Sequence, residues 1–199
     1  TYLLSKPIKL KMNQSKMPMN PFPGIRSFET NEQHLFFGRE KQIGEILSVL
    51  TETHFLALIG YSGSGKSSLI RAGVIPAILN GKIEKKEDWA ISFFSPGNRP
   101  ITSLTLEYAK TYNKKANATG IKSMSFEKAG NIIRSNKNPL LKAYQKLTSG
   151  SWLIVIDQFE EIFRHYRKGS NSRSKDESQE FVNFFLDIIN LKNIGIPVY

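Results

Sequence analysis

One short glycine-rich segment constrains the fold of this chain more than any other feature. Residues 60–67 read GYSGSGKS and match the pattern G-x-x-x-x-G-K-[ST]. An apolar run at 55–59 precedes the segment, and a helical pattern follows it from Lys66 toward Leu79. A buried strand, a glycine turn and a helix N-terminus in this order direct backbone N–H groups at one point, which favours an anion. The segment therefore predicts a phosphate-binding loop rather than a glycine-rich turn that binds nothing.

The residue types in this loop fit a nucleoside triphosphate. Glycine lets the backbone turn sharply and approach phosphate oxygens closely. Lys66 is expected to reach the β- and γ-phosphates, and the Ser67 hydroxyl is expected to bind Mg²⁺. Ser68 is predicted to lie near the α-phosphate. The candidate nucleotide-binding residues of the loop are Gly60, Ser62, Gly63, Ser64, Gly65, Lys66, Ser67 and Ser68.

A second apolar run, at 153–156, ends at Asp157 and forms a Walker B pattern. A strand would carry this carboxylate to the carboxyl edge of a parallel sheet, where the phosphate loop also lies. Asp157 is therefore predicted to hold Mg²⁺ together with Ser67, through water. An ordinary strand that ends with a helix-capping Asp is the plainer alternative.

The sequence leaves two carboxylates as candidates for the general base in hydrolysis. Many enzymes with such a loop place Glu directly after the Walker B Asp, but Gln158 stands there in this chain. Glu160 and Glu161 are the carboxylates available, and either can polarise water or cap the following helix. The candidate catalytic residues are accordingly Lys66, Glu160 and Glu161.

Apolar periodicity elsewhere alternates between strand and helix. The runs at 89–94 and 152–156 are predicted strands, like 55–59, and 196–199 has the pattern of a strand's beginning. Because the strands are apolar on both faces, we expect a parallel sheet with helices on both faces. Helices are predicted near 42–50, 66–79, 101–112, 125–135, 140–147, 159–166 and 181–188. An exposed connection is predicted at 113–123 and a flexible loop at 168–178.

Composition and net charge exclude several classes of protein and of functional site. The chain has 199 residues, 40% of them hydrophobic, which is enough for one core. The sequence contains no cysteine, so disulfides, thiolate zinc sites and a cysteine nucleophile are excluded. No apolar run reaches the length of a membrane span, and we expect a soluble, cytoplasmic protein. The net charge of +11 leaves nucleic acid as a partner that is not favoured, because solvated loops and a basic tail account for it.

Four ordered motifs, one of them the phosphate loop with the residues that follow it, resemble the bacterial STAND-type NTPases, in the branch often fused to WD repeats. They read NPFPGIRSF at 20–28, FFGRE at 36–40, SLIRAGVIP at 68–76 and DQFEE at 157–161. The resemblance implies a P-loop α/β fold that binds ATP and ADP with Mg²⁺. It also implies that Gly38 and Arg39 lie beside the adenine and ribose.

The resemblance carries expectations about organisation as well. Residues 1–19 are interpreted as a basic linker or tail, and 20–199 as a P-loop NTPase domain truncated after the Walker B unit. The family's next strand would lie between 55–59 and 152–156, and its arginine sensor, helical lid and winged-helix domain are expected in a larger chain. Self-association and an effector would involve that larger chain.

The function implied is a slow ATPase switch of signal transduction or defence, in which the nucleotide state controls oligomerisation. Two alternatives stay open. One is a nucleic-acid-associated P-loop ATPase, which the positive charge motivates. The other is a scaffold that nucleotide stabilises without hydrolysis, which Gln158 motivates.

Overall fold

The computed structural model describes residues 24–83, 88–135, 138–147, 150–163, 177–186 and 198–199. The predicted tail at 1–19 lies outside them. Within them, the chain forms helices and two strands, at 89–94 and 151–156. In chain order the elements are a 3₁₀ helix (Thr30–Leu35), α1 (Glu40–Thr53), α2 (Lys66–Ser68), a π-helical segment (Leu69–Val74), α3 (Ile75–Leu79), β1 (Trp89–Phe94), α4 (Pro100–Thr119), α5 (Phe126–Ile133), α6 (Pro139–Leu147) and β2 (Ser151–Ile156), and residues 177–186 are also helical.

The two strands form a parallel sheet. Trp89 lies opposite Ser151, and Phe94 lies opposite Ile156. The chain passes between the strands through α4, α5 and α6, the kind of helical crossover that parallel pairing requires. This arrangement confirms the predicted strands at 89–94 and 152–156 and a mixed α/β architecture with parallel pairing.

The other edge of β2 carries the last two residues of the chain. Val198 forms a parallel bridge with Trp152. Tyr199 N donates to Trp152 O at 2.9 Å, and Ile154 N donates to Tyr199 O at 2.8 Å. These two residues behave as the sequence predicts for the beginning of a strand, while 196 and 197 lie outside the described residues.

Helices cover both faces of the sheet, as predicted. Successive side chains along a strand point to opposite faces of the sheet, so Trp152 faces one side and Leu153 faces the other. The first face packs against α4, α5, α6 and residues 177–186, whereas the second packs against α1, the π-helical segment and α3. Trp152, Tyr108 and Leu140 are completely buried on the first face.

A glycine sets the approach of α1 to the helix that follows the loop. A Cβ added at Gly73 would lie 2.7 Å from Ile43 Cδ1 and 3.4 Å from Phe36 Cε1. A side chain there would force Ile43 to shift, so Gly73 permits a close contact between α1 and this helix. The π-helical geometry of Leu69–Val74 falls in this packed stretch, and such segments often occur near functional sites.

Two expectations about secondary structure are wrong. Residues 55–59 form no strand, because among the described residues no neighbouring strand supplies a hydrogen-bonding ladder. The polar stretch at 113–119 is helical rather than an exposed connection, since α4 continues to Thr119 and ends at Gly120 in the left-handed conformation (φ 72°). Ala116 of this stretch is buried, whereas Lys114, Asn117 and Thr119 are exposed, so the stretch has the two faces of a surface helix.

Candidate nucleotide-binding site

Positive φ angles shape the loop at 60–65. Gly63 and Gly65 have φ angles of 77° and 82°, which L side chains rarely adopt. Gly65 stands directly before α2, so the turn ends where the helix N-terminus begins. A Cβ at Gly60 would lie 3.3 Å from Ser64 Oγ, which indicates a tightly closed loop. The backbone therefore has the form that the motif predicts.

Lys66 lies against the backbone of this loop. Its Nζ donates to Gly60 O at 2.7 Å and to Tyr61 O at 2.9 Å. The ammonium is thus held at the mouth of the loop by two carbonyl oxygens. Both bonds are short and charge-assisted, and they keep the positive charge beside the glycine backbone.

The structure brings together Ser67 and Asp157, which the sequence pairs as a metal site. Ser67 Oγ lies 3.0 Å from Asp157 Oδ1 and 2.9 Å from Oδ2, so the hydroxyl donates to the carboxylate. Asp157 N donates to Phe94 O at 2.9 Å and extends the β1–β2 ladder by one bond. The carboxylate therefore stands at the carboxyl end of the sheet, next to the first turn after the loop.

The donor set at this point suits Mg²⁺. A hydroxyl and a carboxylate are hard oxygen ligands, and Mg²⁺ is usually held by one or two carboxylates together with water and substrate phosphates. Among the residues that the structure describes, no three or more His, Cys, Asp or Glu side chains gather as a metal cluster. Ser67 and Asp157 supply two oxygen ligands, so a Mg²⁺ ion held here would take its remaining ligands from elsewhere.

Gly38 and Arg39 lie beside the loop rather than far from it. Arg39 Nη2 donates to Ser64 O at 3.0 Å. Gly38 has a φ of 80°, and its N–H donates to Glu40 Oε1 at 3.0 Å. Hydrogen bonds from the backbone N–H groups of Glu40 itself and of Gly38 hold the pKa of the Glu40 carboxyl below its usual value. Arg39 therefore adds a second cation to the loop.

Ser68 contacts the N-terminal segment. Its Oγ accepts a hydrogen bond from Phe28 N at 3.1 Å. The rings of Phe28 and Phe36 pack edge to face, with centroids 5.7 Å apart. The segment that the sequence links to the family only by resemblance thus touches the helix that follows the loop.

Arg71 makes contacts beside the loop that the sequence analysis did not predict. Its Nη1 donates to both carboxylate oxygens of Glu29, at 2.9 and 2.8 Å, and its Cζ lies 4.0 Å from the centroid of the Phe93 ring. Arg71 follows Ser67 by four residues, so both lie on one helix face, and this spacing is the signal available in the sequence. The contact joins the N-terminal segment, the loop helix and β1.

A buried carboxylate stabilises the turn before the 3₁₀ helix. Glu32 is almost fully buried and accepts hydrogen bonds from Arg26 at 2.6 and 2.7 Å and from Glu29 N at 2.9 Å. The Arg26 guanidinium, and then the Glu29 N–H, lower the pKa of Glu32 to about 2. Segment 26–32 is therefore a closed turn that presents Glu29 to Arg71.

The two candidate bases have different surroundings. Glu161 Oε2 accepts a hydrogen bond from Gly97 N at 3.0 Å. Glu160 is exposed, and among the described residues its carboxylate has no hydrogen-bond or ion-pair partner. Between Asp157 and these residues, Gln158 adopts a φ of 57°, the left-handed conformation that is uncommon outside glycine. The chain therefore turns sharply directly after the strand.

Comparison with known families decides what kind of module this is. A family model described as Novel STAND NTPase 1 matches residues 21–196, which is most of the chain. The chain belongs to this family. Membership confirms the predicted STAND family and implies an NTPase module that binds nucleotide, usually with a divalent metal.

Other comparisons gave no relatives that add to the STAND assignment. No curated protein and no solved structure gave a significant match. Within the part of the chain that the structure describes, no helix has the length and apolar character needed to cross a bilayer.

Proposed function

We propose that this chain is the nucleotide-binding core of an ATP-dependent switch. It binds ATP and ADP with Mg²⁺ and hydrolyses ATP slowly, and its nucleotide state controls oligomerisation of a larger chain in signal transduction or defence. The observation that carries the proposal is the Ser67–Asp157 pair, with both carboxylate oxygens within 3.0 Å of the hydroxyl at the end of β2. Membership of the STAND family supports an NTPase role for that pair.

Binding of the phosphates rests on the loop and Lys66. The glycines at 63 and 65 turn the backbone so that consecutive N–H groups can face an anion, and the helix from Lys66 adds the positive end of its dipole. The Lys66 ammonium now donates to Gly60 O and Tyr61 O. On nucleotide binding it exchanges these carbonyls for oxygens of the β- and γ-phosphates, which are stronger acceptors because they are charged.

Ser67 and Asp157 would hold Mg²⁺. When bound, the ion neutralises charge on the phosphate oxygens and orients them. The Ser67 hydroxyl would offer the ion a lone pair, and Asp157, at the end of β2, would hold it through water. Adenine and ribose contacts are assigned to the Gly38–Arg39 side of the loop.

Hydrolysis requires a water molecule held in line with the terminal phosphoanhydride bond. Glu160 or Glu161 orients this water and accepts its proton, while Lys66 stabilises the charge that develops on the transferred group. The water oxygen forms a bond to the γ-phosphorus as the bond to the ADP oxygen breaks, and inorganic phosphate leaves. A slow rate suits a switch, because the bound state must persist.

Calorimetric titration tests the binding step. ATP, ADP and GTP are titrated with and without Mg²⁺ into the wild-type chain, Lys66→Ala and the charge-matched control Lys142→Ala, on α6 at the opposite face of the sheet. We expect adenine-selective, Mg²⁺-sensitive binding that falls about ten- to a hundredfold in Lys66→Ala and is unchanged in Lys142→Ala. Full-strength binding by Lys66→Ala would show that the loop is not the phosphate site.

A further inference from the structure

The turn that follows β1 is bound to the turn that follows β2. Gly97 lies in the first turn with a φ of 60°, and Ser103 Oγ donates to Pro96 O at 3.0 Å from one side. From the other side, Gly97 N donates to Glu161 Oε2 at 3.0 Å. The backbone bond from Asp157 N to Phe94 O lies one layer closer to the sheet. Two successive contacts therefore join the exits of the two strands.

The Glu161 contact limits what that side chain can do. Glu161 is partly buried, and one of its oxygens points at a backbone N–H in a segment 64 residues away in sequence. Glu160 is exposed and unpaired among the described residues, so its carboxylate is free to meet a water molecule. A base must lie within hydrogen-bond reach of the water it orients, and a side chain committed to a neighbouring turn is poorly placed for that.

We infer that Glu161 is a positioning residue and that Glu160 is the carboxylate that orients the attacking water. By accepting from Gly97 N, Glu161 holds the turn at 157–161 in register with the turn after β1. Gln158, in its left-handed conformation, lies in this same turn between Asp157 and the two glutamates. This inference rests on the proposed ATP hydrolysis.

Glutamine variants separate the two roles. Glutamine keeps a side-chain carbonyl that can accept from Gly97 N, but it cannot take a proton from water. Steady-state hydrolysis and ATP affinity are compared for wild type, Glu161→Gln, Glu161→Ala and Glu160→Gln. We expect Glu160→Gln to lower kcat about a hundredfold or more at unchanged affinity, and Glu161→Gln to stay within about threefold of wild type. Glu161→Ala should fall about tenfold because the turn loses its anchor.

Amide hydrogen exchange at Gly97 gives a readout that needs no nucleotide. We expect Gly97 to exchange slowly in wild type and Glu161→Gln, and about tenfold faster in Glu161→Ala. Unchanged exchange in Glu161→Ala would overturn the positioning role, and so would a loss of kcat in Glu161→Gln equal to that in Glu160→Gln. Binding without any turnover by wild type would remove the role of Glu160, whereas absence of nucleotide binding would refute the proposed function and leave the Gly97 result to decide the positioning role.

Discussion

Two apolar runs of similar length lead into the two halves of the site, and the protein treats them differently. β2 is paired with β1 on one edge and with Val198 and Tyr199 on the other, and it delivers Asp157. Residues 55–59 lead into the loop, yet they lie outside any strand, and Phe55 and Ile59 are 67% and 91% exposed. An apolar run becomes a buried strand only where a neighbour completes its hydrogen bonds and a helix covers its side chains. One half of the site therefore stands on a rigid support, and the other is held from the side by α1 and the N-terminal segment.

Alanine substitutions in the two runs should lower the free energy of unfolding by very different amounts. Trp152→Ala removes a fully buried indole and should lower the free energy of unfolding by about 3–5 kcal/mol. Phe55→Ala removes a mostly exposed ring and should change it by less than about 0.5 kcal/mol. Urea unfolding measures both. If Trp152→Ala does not refold, Leu153→Ala on the opposite face of β2 serves in its place. An equal loss in Phe55→Ala would abolish the contrast between the runs.

Removing one member of a buried set of hydrogen bonds beside β2 should lower the free energy of unfolding by an intermediate amount. Trp152 Nε1 donates to Ser92 Oγ at 3.0 Å, and Ser92 Oγ lies 3.0 Å from Thr111 Oγ1. Ser92→Ala leaves the indole N–H without this acceptor in a dry interior, at a cost of about 1–3 kcal/mol in the same unfolding assay. Asn117→Ala, at an exposed position on α4, is the control and should cost less. A neutral Ser92→Ala would mean that the indole finds another acceptor.

Low pH should reduce the stability that Glu32 contributes to the segment N-terminal to the loop. The pKa of Glu32 is about 2 in the folded chain, against an ordinary value of 4.5, because Arg26 and the Glu29 N–H stabilise its charged form. A lowered folded-state pKa contributes stability above about pH 4.5 that disappears as the pH falls toward 2. The difference in unfolding free energy between wild type and Glu32→Gln should therefore shrink over this window. Removing the partner with Arg26→Met should weaken the pH dependence, and an unchanged dependence would exclude the pair as its source.

The sequence was sufficient for the parts of the fold and site that follow from local pattern. The strands at 89–94 and 152–156 could be predicted because burial on both faces leaves long apolar runs. The approach of Ser67 to Asp157 could be predicted too, since a loop before a helix and the end of a parallel strand meet at one sheet edge. In both cases the position of a residue within its element determines where it lies.

The remaining features depend on tertiary contacts that leave little local trace. Glu161 meets Gly97 and Arg71 meets Glu29 across many residues, and nothing in either segment specifies the partner. The run at 55–59 has the composition of a strand, but composition does not say whether a neighbouring strand is present. The stretch at 113–119 is polar because most of it lies on the exposed side of a helix, and its single buried alanine is too weak a signal of periodicity.

The glycine at position 73 has a consequence for the packing of the helix that follows the loop. It lies about 10 Å along the helix axis from Lys66, on the stretch that packs against α1. A methyl group there would lie 2.7 Å from Ile43 Cδ1 and 2.9 Å from Ile43 Cγ1, so the Ile43 side chain would have to turn aside. Phe36 Cε1, at 3.4 Å, limits the room left for the methyl group. The helix that begins at the phosphate loop therefore owes its close fit against α1 to a residue without a side chain, two turns beyond Lys66.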